Sequence, residues 1–126
     1  MPDPASVLRG LIEAFASHDE EGMRAALAED MTAYVTNAEG GVDPVRGRES
    51  YLPRLLALKA PKLSVTVTQS VTVSPDQGLL MVEIRAERKG KSLHNFSAFL
   101  ARIRDDQVSE LWMVEALPAY SDEFWQ

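Results

Sequence analysis

The 126-residue chain contains no cysteine. That excludes disulfides, thiolate nucleophiles and cysteine-ligated metals, and it fits a reducing, cytoplasmic setting. No apolar run approaches the roughly 20 residues that a membrane span needs. Positive charge is scarce: 13 Lys and Arg stand against 19 Asp and Glu, for a net charge of −6. Phosphate backbones and anionic lipid surfaces select basic proteins, so neither nucleic acid nor a membrane is an expected partner. Histidine is limited to two positions. No His/Asp/Glu group has metal-ligand spacing, no glycine-rich loop could cradle phosphate, and no serine sits in a nucleophile elbow. No metal and no cofactor are therefore expected. The opening MPDPASVLRGLIEAF lacks a basic n-region and a cleavage-like site, so no signal peptide is expected.

What is present reads as one ordinary globular domain over residues 1–126, with 45% hydrophobic and 25% charged residues and no repeat or linker. Asp3-Pro4 suits a helix start, and Leu8, Leu11, Ile12 and Phe15 follow at helical spacing. SHDE interrupts that stripe; either a Ser17–Glu20 capping box or an Asp19 cap opens a second short helix containing Met23, Ala26 and Leu27. MTAYVTN is a strand, AEGGVDPVRG a loop and RESYLPRLLALK a third helix. From residue 63 the period falls from 3.6 to 2. LSVTVTQSVTVS, LLMVEIRAER, SLHNFSAFLARIR and VSELWMVEAL form a meander turned at PDQG, KG and DD. The order ααβαββββ makes an α+β fold, with three N-terminal helices on one face of a curved, mostly antiparallel sheet.

Even-numbered hairpin loops pair 73 with 80, 86 with 93 and 103 with 108. One face then carries Gln69, Ile84, Asn95, Ser97, Phe99, Glu110 and Trp112 among aliphatic residues, with Phe99 opposite Trp112. An apolar concave face with a few neutral hydrogen-bonding groups is what a small-molecule pocket needs; Gln69 and Asn95 are otherwise satisfied core amides. The other face carries His94, Phe96, Leu100, Arg102, Leu111, Met113 and Glu115 beside Glu83 and Arg85. It is too apolar to stay bare, so a homodimer through this outer face is expected.

The element order, together with FASHDEEGMRAALAEDMTAYV, VRGRESY and FLARIRDDQVSELW, resembles the SnoaL-like branch of the nuclear transport factor two-like superfamily. The resemblance covers nearly the whole chain and implies a cone-shaped fold. Proteins similar to it include ketosteroid isomerases, polyketide cyclases, epoxide hydrolases, dehydratases and noncatalytic domains, so fold alone does not give activity. The three ketosteroid isomerase roles that the resemblance implies fall on Leu11, Val35 and Phe99. None can act as acid or base, and steroid isomerisation is not expected. An epoxide-hydrolase Asp–Arg–Asp set would have only Glu110 and no arginine on the pocket face. The acidic residue that SnoaL-like cyclases often place late in the last strand has a neighbour in Glu115, which the register turns outward.

His94, beside Glu83, Arg85 and Glu115, is either a general base or part of an interface ion network. Tyr34 and Asn37 have opposite parity on the first strand, with Asn37 nearer the pocket mouth. The tail AYSDEFWQ is too short for an element of its own and either docks its aromatics on the cone mouth or on a partner subunit, or stays disordered. The candidate catalytic residues are thus His94 and Glu115, and the candidate ligand-binding residues are Asn37, Gln69, Asn95, Ser97, Phe99 and Trp112. The expected function is binding of a small apolar ligand with unassigned chemistry. The alternatives are an isomerase, cyclase or dehydratase acting on a small apolar or polyketide-like substrate, and a noncatalytic dimeric scaffold.

Overall fold

A computed structural model describes residues 3–60 and 62–126. Helix α1 (Pro4–Ala16) starts where the Asp3 carboxylate accepts the Ser6 amide at 2.9 Å and Pro4 occupies the first helical turn. Leu8, Leu11 and Ile12 are buried beneath it. Asp19 rather than a Ser17–Glu20 box caps α2 (Glu20–Ala26), accepting the Gly22 amide at 3.0 Å. The Ser17 hydroxyl instead donates back to the Glu13 carbonyl at the end of α1. Strand β1 (Leu27–Thr36) comes next, then β2 (Val42–Arg46), α3 (Arg48–Leu56), β3 (Ser64–Ser74), β4 (Gln77–Arg88), β5 (Lys91–Arg104), β6 (Gln107–Glu115) and α4 (Pro118–Trp125).

The α+β architecture is as the sequence implies, with two additions. The segment read as a loop contains β2, which pairs antiparallel with β1. It is an edge strand, the place in a sheet where a proline such as Pro44 is tolerated. The tail, read as too short for an element, forms α4. Among the described residues, six strands run in the order β2-β1-β6-β5-β4-β3, with β1 parallel to β6 and the remaining pairs antiparallel. Helices α1 and α3 cover the concave face, and the main core joins α1, α3 and the inward residues of the sheet.

Two of the three meander turns hold the expected register. Lys89-Gly90 and Asp105-Asp106 all have positive φ, the signature of two-residue type I′ hairpins. Ala86 pairs with Leu93 and Ile103 with Val108, as read from the sequence. Bulges break the ladder farther along, and two of them carry a hydroxyl side chain. In β6, Ile103 faces Val108 but Arg102 faces Glu110, leaving Ser109 as an extra residue. Its hydroxyl donates to the Arg102 carbonyl at 3.1 Å. In β3, Val67 faces Val82 but Gln69 faces Met81, leaving Thr68 extra, and its hydroxyl donates to the Met81 carbonyl at 3.1 Å. In each case a short hydroxyl side chain bonds a carbonyl of the facing strand where the regular ladder is interrupted.

Because side-chain parity has period 2, each extra residue exchanges the faces of the residues beyond it. Phe99 therefore pairs with Met113 and Ser97 with Glu115, which brings Leu111, Met113 and Glu115 inward. Glu110, Trp112 and Val114 turn outward. The 73–80 pairing is also replaced: Ser70 faces Leu80, and Gln69 and Val71 lie on the outer face.

Gly78 shows how closely α1 sits on β4. A Cβ there would lie 2.7 Å from the Ala5 nitrogen and 2.8 Å from the Pro4 carbonyl carbon, both backbone atoms that cannot rotate away. Gly78→Ala is expected to lower stability by about 1–3 kcal/mol, the usual cost of overpacking, as measured by urea unfolding.

Candidate functional site

The concave face encloses a cavity of about 80 Å³. Leu11, Ile12 and Phe15 from α1 form one wall. Ile84, Leu93 and Phe99 from the sheet form another, and Leu55 and Leu58 close the α3 side. A more open vestibule of about 390 Å³ lies beside it, lined by Val35, Asn37, Tyr51, Arg54 and Asp122 among others. The two share Leu55, Leu58, Met113, Glu115, Ser121 and Trp125. These residues form a neck, and α4 supplies two of them.

Glu115 is the titratable group common to both spaces. Burial raises its pKa above the ordinary glutamate value, and the charge of Asp122 adds to the rise, while the Ser121 hydroxyl opposes it. The carboxylate accepts the Asn95 side-chain amide at 3.3 Å. Tyr51, almost wholly buried on the vestibule wall, has a phenol pushed up by burial. Arg54 lines the same vestibule, so Glu115, Asp122 and a guanidinium border one space. The sequence alone offers only Glu110 and no arginine at the pocket, but Glu110 lies beyond the bulge and is on the other face.

Asn95, Ser97 and Phe99 line the cavity, with Asn95 and Ser97 buried. Asn95 is fully engaged with protein: Nδ2 donates to Glu115 and to the Leu117 carbonyl, and Oδ1 accepts from Phe96 and Leu117. Asn37 lines the vestibule but spends its amide on its own loop, accepting from Glu39 and Gly41 and donating to Asp43. Gln69 is exposed on the outer face, moved there by the Thr68 bulge. Trp112 is likewise outside, stacked on Tyr34 with ring centroids 5.2 Å apart. The tryptophan at the cavity is Trp125. Its proximity was not legible because it depends on α4 folding back.

His94 lies on the outer face, as the register predicts. Its Nε2 is 2.6 Å from a Glu83 oxygen, which also accepts Arg85 at 3.3 Å. The bond from His94 is the largest influence holding Glu83 below the ordinary glutamate range. Glu115 is not part of this group, having turned inward. Leu11 and Phe99 line the cavity and Val35 the vestibule, so the positions compared with the isomerase roles do face these spaces and hold no acid or base. Among the described residues no cluster of His, Asp and Glu could hold a metal ion.

The raised pKa of Glu115 has a stability consequence of definite sign. A carboxylate that binds its proton more tightly when folded weakens the fold fully above its folded pKa, and the penalty shrinks from there down to its unfolded pKa. Glu115→Gln is expected to raise the unfolding free energy at neutral pH. The gain should shrink on acidification and vanish below the unfolded-state pKa of glutamate. Urea unfolding of both proteins across the acid range measures it; an equal or less stable Gln variant at neutral pH contradicts it.

The fold is shared widely. The structure of Bal32a, from a soil-derived mobile gene cassette, is 18% identical with a TM-score of 0.84, covering 98% of this chain and 96% of that one. IdmH, a candidate polyketide cyclase from Streptomyces antibioticus, is 23% identical with a TM-score of 0.76, covering 97% and 98%. An LEH-like epoxide hydrolase from M. tuberculosis is 11% identical with a TM-score of 0.76, covering 96% and 88%. At these identities the likeness concerns the fold. No curated protein sequence matches significantly. The SnoaL-like domain family matches residues 8–111, ending just before Glu115 and α4. With most of its length matched, this chain belongs to the SnoaL-like domain family.

Proposed function

We propose that this protein binds a small, largely apolar and neutral molecule across the cavity and vestibule, and that Glu115 transfers a proton on it. The observation that carries this reading is a carboxylate at the neck between an apolar chamber and water, with its proton affinity raised by burial. A carboxyl group whose pKa moves toward neutrality is suited to general acid–base work. The inner cavity has room for only part of a ligand, so the remainder of the molecule would occupy the vestibule. Proton transfer beside a carbonyl covers isomerisation, cyclisation and dehydration. The similar fold of a candidate polyketide cyclase supports a carbonyl-bearing substrate. The grouping of Arg54 with Glu115 and Asp122, and the similar fold of an epoxide hydrolase, support including epoxides as the second substrate class.

The test is a panel of neutral cyclic ketones, β-dicarbonyl compounds and epoxides. Binding is read by Trp125 fluorescence in a Trp112→Phe background, since Trp125 is the tryptophan at the cavity. For a compound that is turned over, Glu115→Gln should lower turnover by roughly 10²–10⁴-fold while affinity changes by no more than about threefold. Undiminished turnover in the Gln variant rejects the role of Glu115. Binding without turnover across the panel favours a binding protein, and no binding at all favours the scaffold alternative.

The outer sheet face supports a homodimer. Met81, Phe96 and Val114 are 43%, 46% and 55% exposed on it, beside the Trp112–Tyr34 stack and the Glu83–His94–Arg85 group. Contiguous apolar surface of this kind marks an interaction site, and a second copy with its own charged group supplies a self-complementary cover. Sedimentation at micromolar concentration should give a dimer, and Phe96→Glu a monomer. A monomeric wild type overturns this.

A further inference from the structure

We propose that Asn95 is the positioning residue of this site: one buried side-chain amide both fixes the Glu115 carboxylate at the neck and anchors the start of α4 over it. Calling the carboxylate functional rests on the reading above, but the anchoring does not.

Asn95 lies on β5 and is 2% exposed. Its Nδ2 donates to Glu115 Oε2 at 3.3 Å and to the Leu117 carbonyl at 3.2 Å. Its Oδ1 accepts the Phe96 amide at 2.9 Å and the Leu117 amide at 3.2 Å. A primary amide has two donor hydrogens and an oxygen with two lone pairs, so these four bonds fill its capacity. The partners also fix its orientation. A flipped amide would set its NH₂ against two N–H donors and its oxygen against a carboxylate and a carbonyl. Both backbone groups of Leu117 are thus clasped by one side chain, as a neighbouring strand would clasp them.

That clasp matters because α4 cannot hold itself. It has eight residues, no side-chain capping bond from Leu117, which precedes its first turn, and no acidic residue in that turn. An isolated helix this short is unstable in water. Its other anchors act farther along. Phe124 is buried with Ala60, Ala86 and Leu93. Arg88 donates to the Trp125 carbonyl and Lys91 to the Glu123 carbonyl, placing cations at the negative end of the helix. The Tyr120 hydroxyl accepts from His94 and donates to Ser92, both on β5. Asn95 secures the opposite end, where the chain leaves β6 immediately after Glu115. Few other side chains meet these demands. Aspartate has the same shape but would set an oxygen against both Glu115 and the Leu117 carbonyl; leucine fills the space and makes none of the bonds.

Nuclear magnetic resonance on the ligand-free full chain tests the proposal. In the wild type the Asn95 side-chain amide resonance should shift as Glu115 ionises, and in Glu115→Gln that titration should be absent. In Asn95→Leu the α4 backbone amides should exchange with solvent at least roughly tenfold faster, while amides in β3 and β4 stay within about threefold. If the Leu variant does not fold, Asn95→Asp, which keeps both acceptor bonds, should show the same selective acceleration. An Asn95 amide indifferent to Glu115, or α4 exchange unchanged in the folded variant, overturns the proposal. Because ligand is absent, these readouts are separate from the turnover of Glu115→Gln, and either idea can fail alone.

Discussion

One extra residue in β6 decides which side chains of that strand face the cavity. The type I′ turn at Asp105-Asp106 brings β5 and β6 together with Ile103 facing Val108, and an unbroken ladder from there would send Trp112 inward and Glu115 outward. Ser109 interrupts that ladder, its hydroxyl bonded to the Arg102 carbonyl. The resulting exchange of faces puts a carboxylate at the neck of an apolar cavity and stacks an indole on Tyr34 outside. Burial then does the chemical tuning, because a carboxylate withdrawn from water near Asp122 holds its proton more tightly.

The same inversion organises the end of the chain. With Glu115 inward, the residues after it cross the rim of the cone, and Asn95 clasps Leu117 as α4 begins. The helix returns Ser121 and Trp125 to the site and buries Phe124 in a satellite cluster with Ala60, Ala86 and Leu93. The aromatic ending of the sequence is therefore used at the cone mouth. The outer face keeps Met81, Phe96 and Val114 exposed together with the ion group at His94. Catalytic residue types thus occur on both faces, but the inward one borders an enclosed space.

Much of the architecture was legible because period and turn chemistry are local. The α1 stripe of Leu8, Leu11 and Ile12, the Asp19 cap and the Lys89-Gly90 and Asp105-Asp106 turns each come from a few neighbouring residues. Asn95, Ser97 and Phe99 are legible on the cavity face because β5 itself runs uninterrupted against β4. Gln69, Trp112 and Glu115 are misplaced by the sequence pattern because a bulge leaves no strong local signal. Ser109 and Thr68 fit regular strands as well as they fit an extra position, and only the facing carbonyl distinguishes the two. β2 and α4 escape for a similar reason: Pro44 is acceptable only because β2 is an edge, and α4 depends on anchors from β4 and β5.

The claim on which the account rests is the register of β5 against β6. Cross-strand proton contacts measured by nuclear magnetic resonance read it directly. The account predicts Phe99 opposite Met113 and Ser97 opposite Glu115, with the ladder broken at Ser109. Contacts placing Phe99 opposite Trp112, in a ladder continuous from Ile103 and Val108, would turn Glu115 outward and contradict it.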